Sequence, residues 1–114
     1  MIVKQANSAT KHDSGKPRLD LLPVEPLLQI AKVLAFGAQK YGDHNWRSQT
    51  DGGFVWGRLY AATLRHLFAF WNGEDLDAES GLPHLAHAAC NIIFLLEFMN
   101  NGGGVDDRVK KGAV

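Results

Sequence analysis

Apolar residues recur at helical spacing in three stretches of this chain, separated by polar, glycine-rich breaks. In the first stretch Leu27, Ile30, Ala31, Leu34, Ala38 and Tyr41 fall on one stripe. Pro23 supplies a fixed φ at the start and Gly42 a stop, so the pattern predicts a helix from about Val24 to Tyr41. The second stretch carries Leu59, Ala62, His66, Ala69 and Phe70 and predicts a helix from about Val55 to Trp71, ended by Gly73. The third opens at Pro83 and continues to about Met99, with Leu85, Ala88, Ala89, Ile92, Leu95, Leu96 and Met99 on a broad apolar face. No segment alternates with the period of a strand, and no internal repeat is present.

The expected fold class is therefore all-α, a small helical bundle of three main helices. Three helices make a thin core, and the third is apolar over a wide arc. Oligomerisation is expected to complete the bundle, with a second copy of the chain as the partner. The expected organisation is a polar N-terminal arm over 1–20, a single helical domain over 21–100, and a Gly-rich, charged C-terminal tail over 101–114 that frays. Two loops join the helices. Gly42 to Phe54 is rich in Gly, Asp, Asn and Ser around Trp46, and Asn72 to Leu82 is densely acidic.

A length of 114 residues fits one domain. Twelve basic and twelve acidic side chains cancel, leaving no overall field to draw in nucleic acid or an anionic membrane. Neither a membrane nor a sequence-specific nucleic-acid partner is expected. Cys90, the single cysteine, sits in the apolar run Ala88-Ala89-Cys90 and reads as a small buried hydrophobe. The first twenty residues lack the apolar core of a secretory leader, and the apolar run Ile92 to Leu96 is too short to span a bilayer. These features point to a reducing, cytoplasmic location.

Candidate chemistry concentrates between Arg65 and Asn91. His84, His87 and Asn91 are spaced i, i+3, i+7, which puts them within roughly 60° of one another on the third helix. The preceding loop places Glu74, Asp75, Asp77 and Glu79 within six residues. Carboxylates so close repel one another, and a hard divalent cation relieves that while bridging to phosphate oxygens. Imidazoles at His66, His84 and His87 could add ligands or carry protons. The plainer readings are half-buried helix polars and a solvated acidic loop. Cationic groups stand at Lys16, Arg18, Lys40, Arg47, Arg58 and Arg65. Arg58 and Arg65 are seven apart, share a helix face, and could clamp a polyphosphate or pair with surface acids. Trp46 either stacks on a nucleobase or caps the core. The chain has no P-loop, CxxC pair or G-x-S-x-G elbow, and His12-Asp13 lies in the polar arm as a chance dipeptide.

Three strings then carry a resemblance: GKPRLDLLP (Gly15 to Pro23), AFGAQKYGDHNW (Ala35 to Trp46) and RHLFAFWNGEDLDAESGLPHLAHAACNIIFLLEF (Arg65 to Phe98). Together they resemble the phage and prophage family named for the N-terminal domain of dATP/dGTP diphosphohydrolase, over about Lys11 to Phe98. More distantly the chain is similar to the all-α, MazG-type nucleotide pyrophosphohydrolases. Those hold Mg²⁺ with an ExxE motif on one helix and an ExxD motif on another. Here the first helix has only Glu25, the second has no acid, and the third carries His84 and His87 instead.

The resemblance implies metal-dependent cleavage of a purine deoxynucleoside triphosphate, dATP or dGTP, to monophosphate and pyrophosphate, with Mg²⁺ or Mn²⁺ as cofactor. A phage enzyme of this kind would act in the host cytosol and reshape the nucleotide pool. On that reading Glu74, Asp77 and His84 are the catalytic residues. The metal is held from among Glu74, Asp75, Asp77, Glu79, His66, His84 and His87. Lys16, Arg18, Trp46, Arg58, Arg65 and Asn91 hold the nucleotide. Two alternatives stay open. One is a non-catalytic nucleotide-binding phage protein that sequesters a signal made by host defence. The other is an interaction domain whose polar cluster is an interface.

Overall fold

A stop at Gly42 and an apolar stripe behind it are enough to form the first helix, α1, over Val24–Tyr41 in the computed structural model, which describes residues 9–110. Gly42 adopts φ +97° and its N–H bonds to the Ala38 carbonyl oxygen at 2.7 Å, which closes the last turn. The second helix, α2, covers Trp56–Trp71, and the third, α3, covers His84–Asn101. Only two isolated β-bridges and no sheet occur among the described residues, so the all-α expectation holds. No helix among them is long and apolar enough to cross a membrane. The N-terminal arm is exposed from Ala9 onward and contains one short 3-10 turn, Leu19–Leu21; its first eight residues lie outside the described region.

The third helix is the shared partner: α2 and α1 both pack on α3. Val33 of α1 meets Ala86 and Cys90 of α3, with Ile30, Leu82 and Phe94 around them. On the other side Leu59 and Thr63 of α2 are buried, as are Ala88 and Phe98 of α3. The Thr63 hydroxyl donates to the Leu59 carbonyl oxygen at 2.8 Å, so it is buried without an unmet hydrogen bond. Full burial of Phe98 contributes about 1.5–3 kcal/mol.

Much of the predicted apolar surface stays uncovered. On α1 the stripe turns Ile30 inward but leaves Leu27, Leu34 and Tyr41 exposed. On α3 Leu85, Ile92, Leu96 and Met99 lie along an edge that stays about half exposed. The physical reason is that α3 is the one helix α1 packs on closely, so a helix apolar over a wide arc has no second helix to bury its other side against. The Cα radius of gyration, 19.0 Å, fits this thinness, because a compact domain of this length has about 13 Å.

The described part of the C-terminal segment, up to Lys110, departs from the expected frayed tail, whose last four residues lie outside the described region. Val105 N donates to the Phe54 carbonyl oxygen at 2.8 Å, and Trp56 N donates to the Val105 carbonyl oxygen at 2.9 Å. The Trp56 indole N–H donates to the Gly103 carbonyl oxygen at 2.9 Å. Gly104, at φ +67°, is needed for this approach, since a Cβ there would collide with the Phe54 carbonyl oxygen. The next residues finish α2, whose N-cap, Val55, offers no side-chain acceptor. Asp107 Oδ1 accepts from the Gly57 N–H at 2.8 Å, fifty residues away along the chain. An N-terminal cap carried by a distant tail is invisible to a reading based on local sequence.

Replacing Asp107 with Ala removes that acceptor from the first turn of α2. The melting temperature, followed by circular dichroism at 222 nm, is expected to fall by on the order of 4 °C. Cys90 gives a second check. Burial pushes its thiol up to about 11, so alkylation at neutral pH should be undetectable in folded protein and rapid in denaturant.

Candidate active site

The loop from α2 to α3 does not run straight. Leu76 pairs with Pro83 in an antiparallel bridge, the Asp77 N–H donates to the Leu82 carbonyl oxygen at 2.8 Å, and the His84 N–H donates to the Asp75 carbonyl oxygen at 2.9 Å. These bonds fold the acidic segment back over the first turn of α3. Inside the fold, Asp77 Oδ2 accepts from Ser80 N at 2.9 Å and from the Ser80 hydroxyl at 3.0 Å. The Ser80 hydroxyl oxygen also lies 2.7 Å from His87 Nε2. With the hydroxyl proton directed at the Asp77 carboxylate, the Ser80 oxygen accepts from His87 Nε2 in the tautomer that carries its proton there. Partial burial opposes ionisation of Asp77, but the two Ser80 bonds together with the His87 and His66 imidazoles outweigh it and hold the carboxyl below its usual range.

Three imidazoles meet beside this turn. His66 of α2 and His84 of α3 place their Nδ1 atoms 2.8 Å apart, a distance at which one ring donates to the other. The His66 ring stacks on His87, centroids 4.7 Å apart and planes 10° from parallel. Burial, and then the neighbouring imidazoles, push the His66 pKa down. Burial also lowers His87, against the pull of Asp77. Both rings are therefore neutral at neutral pH and offer lone pairs. His84 is 5% exposed, and its Nε2 has no hydrogen bond. Glu74 Oε1 lies 3.2 Å from that atom but off the direction of the ring N–H. Donor atoms of His66, Asp77 and His84 all lie within 4.8 Å of one another, the spread of a metal-binding set.

A cavity of about 730 Å³ lies between the C-terminal half of α1, the loop after it, and α3. His66 and His87 form part of its wall, so the cavity and the imidazole cluster are continuous. Phe36, Tyr41, Trp46 and Phe94 give it an aromatic lining; Lys40, Arg47 and Asn91 contribute polar groups. Trp46 stacks on Phe94 with centroids 4.4 Å apart, and the Arg47 guanidinium sits 4.1 Å from the Trp46 ring centre. Trp46 thus caps the core while bordering the cavity. His44, at φ +59°, accepts from Arg47 Nε at 3.3 Å, which ties the loop to its own turn.

The residues singled out in the sequence fall into two groups. His66, His84, His87, Asp77 and Glu74 come together, and Trp46 and Asn91 border the adjoining cavity. The Asp75 side chain is exposed, and its contribution is a backbone carbonyl. Glu79 is bound by Lys40 Nζ at 2.7 Å. Arg58 and Arg65 are exposed on α2, and Lys16 and Arg18 are exposed on the arm, where Arg18 pairs with Asp20. None of these four cations borders the cavity; Lys40 and Arg47 do. Ser80, the link between Asp77 and His87, also escapes a reading by residue type, because a turn serine looks like any other until its hydroxyl is placed.

Comparison with known proteins identifies the family. A family model described as dATP/dGTP diphosphohydrolase, N-terminal, matches residues 6–108. The dATP/dGTP diphosphohydrolase of Salmonella phage PMBT28 is 39% identical over 104 residues, covering 91% of this chain and 34% of that protein. The chain thus spans about a third of the length of this relative. No solved structure matches it. The match takes in α1, α2, α3, the folded acidic loop and most of the C-terminal staple, and on that extent the chain belongs to the dATP/dGTP diphosphohydrolase N-terminal family.

Proposed function

We propose that this chain binds a purine deoxynucleoside triphosphate, dATP or dGTP, in the cavity beside α3 and hydrolyses it to the monophosphate and pyrophosphate. One observation carries this reading: a cavity of nucleotide size, with Phe36, Tyr41, Trp46 and Phe94 in its wall, also has His66 and His87 of the imidazole cluster in that wall. The name of the phage relative supports the reaction class. The aromatic lining would hold the base and sugar, and Lys40 and Arg47 would meet the phosphates on their way to His66 and His87.

The chemistry required is attack of water on the α-phosphorus and departure of pyrophosphate. A divalent cation would be held by His66, Asp77 and His84, and would supply positive charge where phosphoryl oxygens gain negative charge. The orphaned Nε2 of His84 and the ionised Asp77 fit such a group. Glu74, at the solvent side of the cluster with its side chain 57% exposed, would take the proton of the attacking water. Ser80 and His87 position Asp77 and His66 by hydrogen bonding and stacking. The exposed edge of α3 supports pairing with a second copy of the chain, which would close the bundle.

Purified protein incubated with each dNTP and Mn²⁺ is expected to release monophosphate and pyrophosphate from dATP or dGTP, and nothing in EDTA. Tight binding without product in every metal would overturn hydrolysis and leave a sequestering protein. Lys40→Ala and Arg47→Ala should each raise KM roughly tenfold with a smaller change in kcat. Arg58→Ala, at a position outside the cavity, should leave KM unchanged.

A further inference from the structure

Taking from the hydrolase reading only the need for a cation, we infer that His66, Asp77 and His84 select a first-row transition ion, from Mn²⁺ to Zn²⁺, and discriminate against Mg²⁺. The donors are two imidazole nitrogens and one carboxylate, supplied by α2, the folded loop and α3. Magnesium wants an octahedron of oxygens and gives up its water reluctantly, whereas imidazole suits the later ions.

The other loop acids do not make up the missing oxygens. Glu79 is held by Lys40 at 2.7 Å, and the Asp75 side chain is exposed with only its carbonyl turned to His84. Asp77 itself has Oδ2 occupied by both Ser80 donors, which leaves Oδ1 as its free ligand atom. The site therefore offers one committed carboxylate, with Glu74 at its edge.

The state of His84 points to an ion independently. Its ring is sealed from solvent, and Nε2 faces no correctly aligned partner. Sealed imidazole nitrogens almost always find a hydrogen bond or a metal. A cation on either nitrogen removes the misfit. On Nε2 it is the missing partner. On Nδ1 it leaves Nε2–H to turn toward the Glu74 carboxylate 3.2 Å away, the carboxylate–histidine–metal pattern that fixes a ligand ring. The two Nδ1 atoms stand 2.8 Å apart. Two imidazoles on one ion, with bonds of about 2.0–2.1 Å, stand about 3.0–3.4 Å apart, so a shift of a few tenths of an ångström exchanges the shared proton for the ion. The supporting contacts are already in place: Ser80 fixes Asp77, and His87 stacks on His66.

The test is metal binding by the full chain without nucleotide. Protein stripped with chelator is titrated with Co²⁺, Mn²⁺, Zn²⁺ and Mg²⁺ by calorimetry, and the visible absorption of bound Co²⁺ reports nitrogen ligation. One Co²⁺ per chain is expected, displaced by Zn²⁺ but not by an approximately hundredfold excess of Mg²⁺. His66→Ala and Asp77→Asn should each weaken Co²⁺ binding at least about tenfold while retaining the native circular dichroism. Both positions are used because the buried His84 is less safe to replace. Glu79→Gln should bind as the parent does. Absence of Co²⁺ binding, Mg²⁺ binding as tight as Co²⁺, or unaltered Co²⁺ affinity in both variants would overturn the site. Co²⁺ held by these residues with no dNTP cleaved sinks the hydrolase reading and sustains the site. Cleavage with Mg²⁺ that His66→Ala leaves intact does the reverse.

Discussion

The short antiparallel pairing of Leu76 with Pro83, with the Asp75 carbonyl accepting from His84 N–H, governs how the acidic loop meets the three imidazoles. A loop of carboxylates left to itself extends into solvent, because like charges repel and exposed side chains lose least entropy there. The backbone bonds overrule that tendency and turn the segment back on the start of α3. Only then does Asp77 reach Ser80, and Ser80 reach His87. The arrangement tolerates its charge because the acids diverge. Asp77 is satisfied by two donors, Glu79 by Lys40, and Glu74 stays largely in water.

Helix α3 serves both the core and the site, and this explains a conflict in its sequence. A helix intended only for packing would not place His84 and His87 in its first turn. A helix intended only for chemistry would not need Ala86, Ala88 and Cys90. Small residues on either side of His87 let α1 and α2 approach closely. That approach delivers His66 from α2 to the two α3 imidazoles and lowers the basicity of His66 and His87 by burial. The depressed basicity follows from packing, and it keeps those rings in the neutral form that can bind a cation.

A second constraint acts at the far end of α2. The tail returns to give Gly57 the cap that Val55 cannot supply, and Trp56 holds the Gly103 carbonyl. The helix that carries His66 is thus fixed at its start by the C-terminal segment and along its length by α3. A site built between two helices depends on such fixing, since a small rotation of α2 would part the two imidazoles now 2.8 Å from each other.

The hydrophobic spacing was sufficient for three helices, their order and their limits to within about two residues, since helical periodicity and glycine stops are local properties. Spacing also set His84, His87 and Asn91 on one edge of α3, because that follows from helix geometry alone. What it left open was which groups meet across elements. Arg58 and Arg65 share a face as their separation requires, yet that face looks to solvent, while Lys40 and Arg47 border the cavity because α1 ends beside α3. Likewise Asp77 and Glu79 are indistinguishable by type, and only the folded loop sends one to the histidines and the other to Lys40. Local energetics along the chain determined the elements. Contacts between residues far apart in sequence, which only tertiary packing brings into range, decided the site.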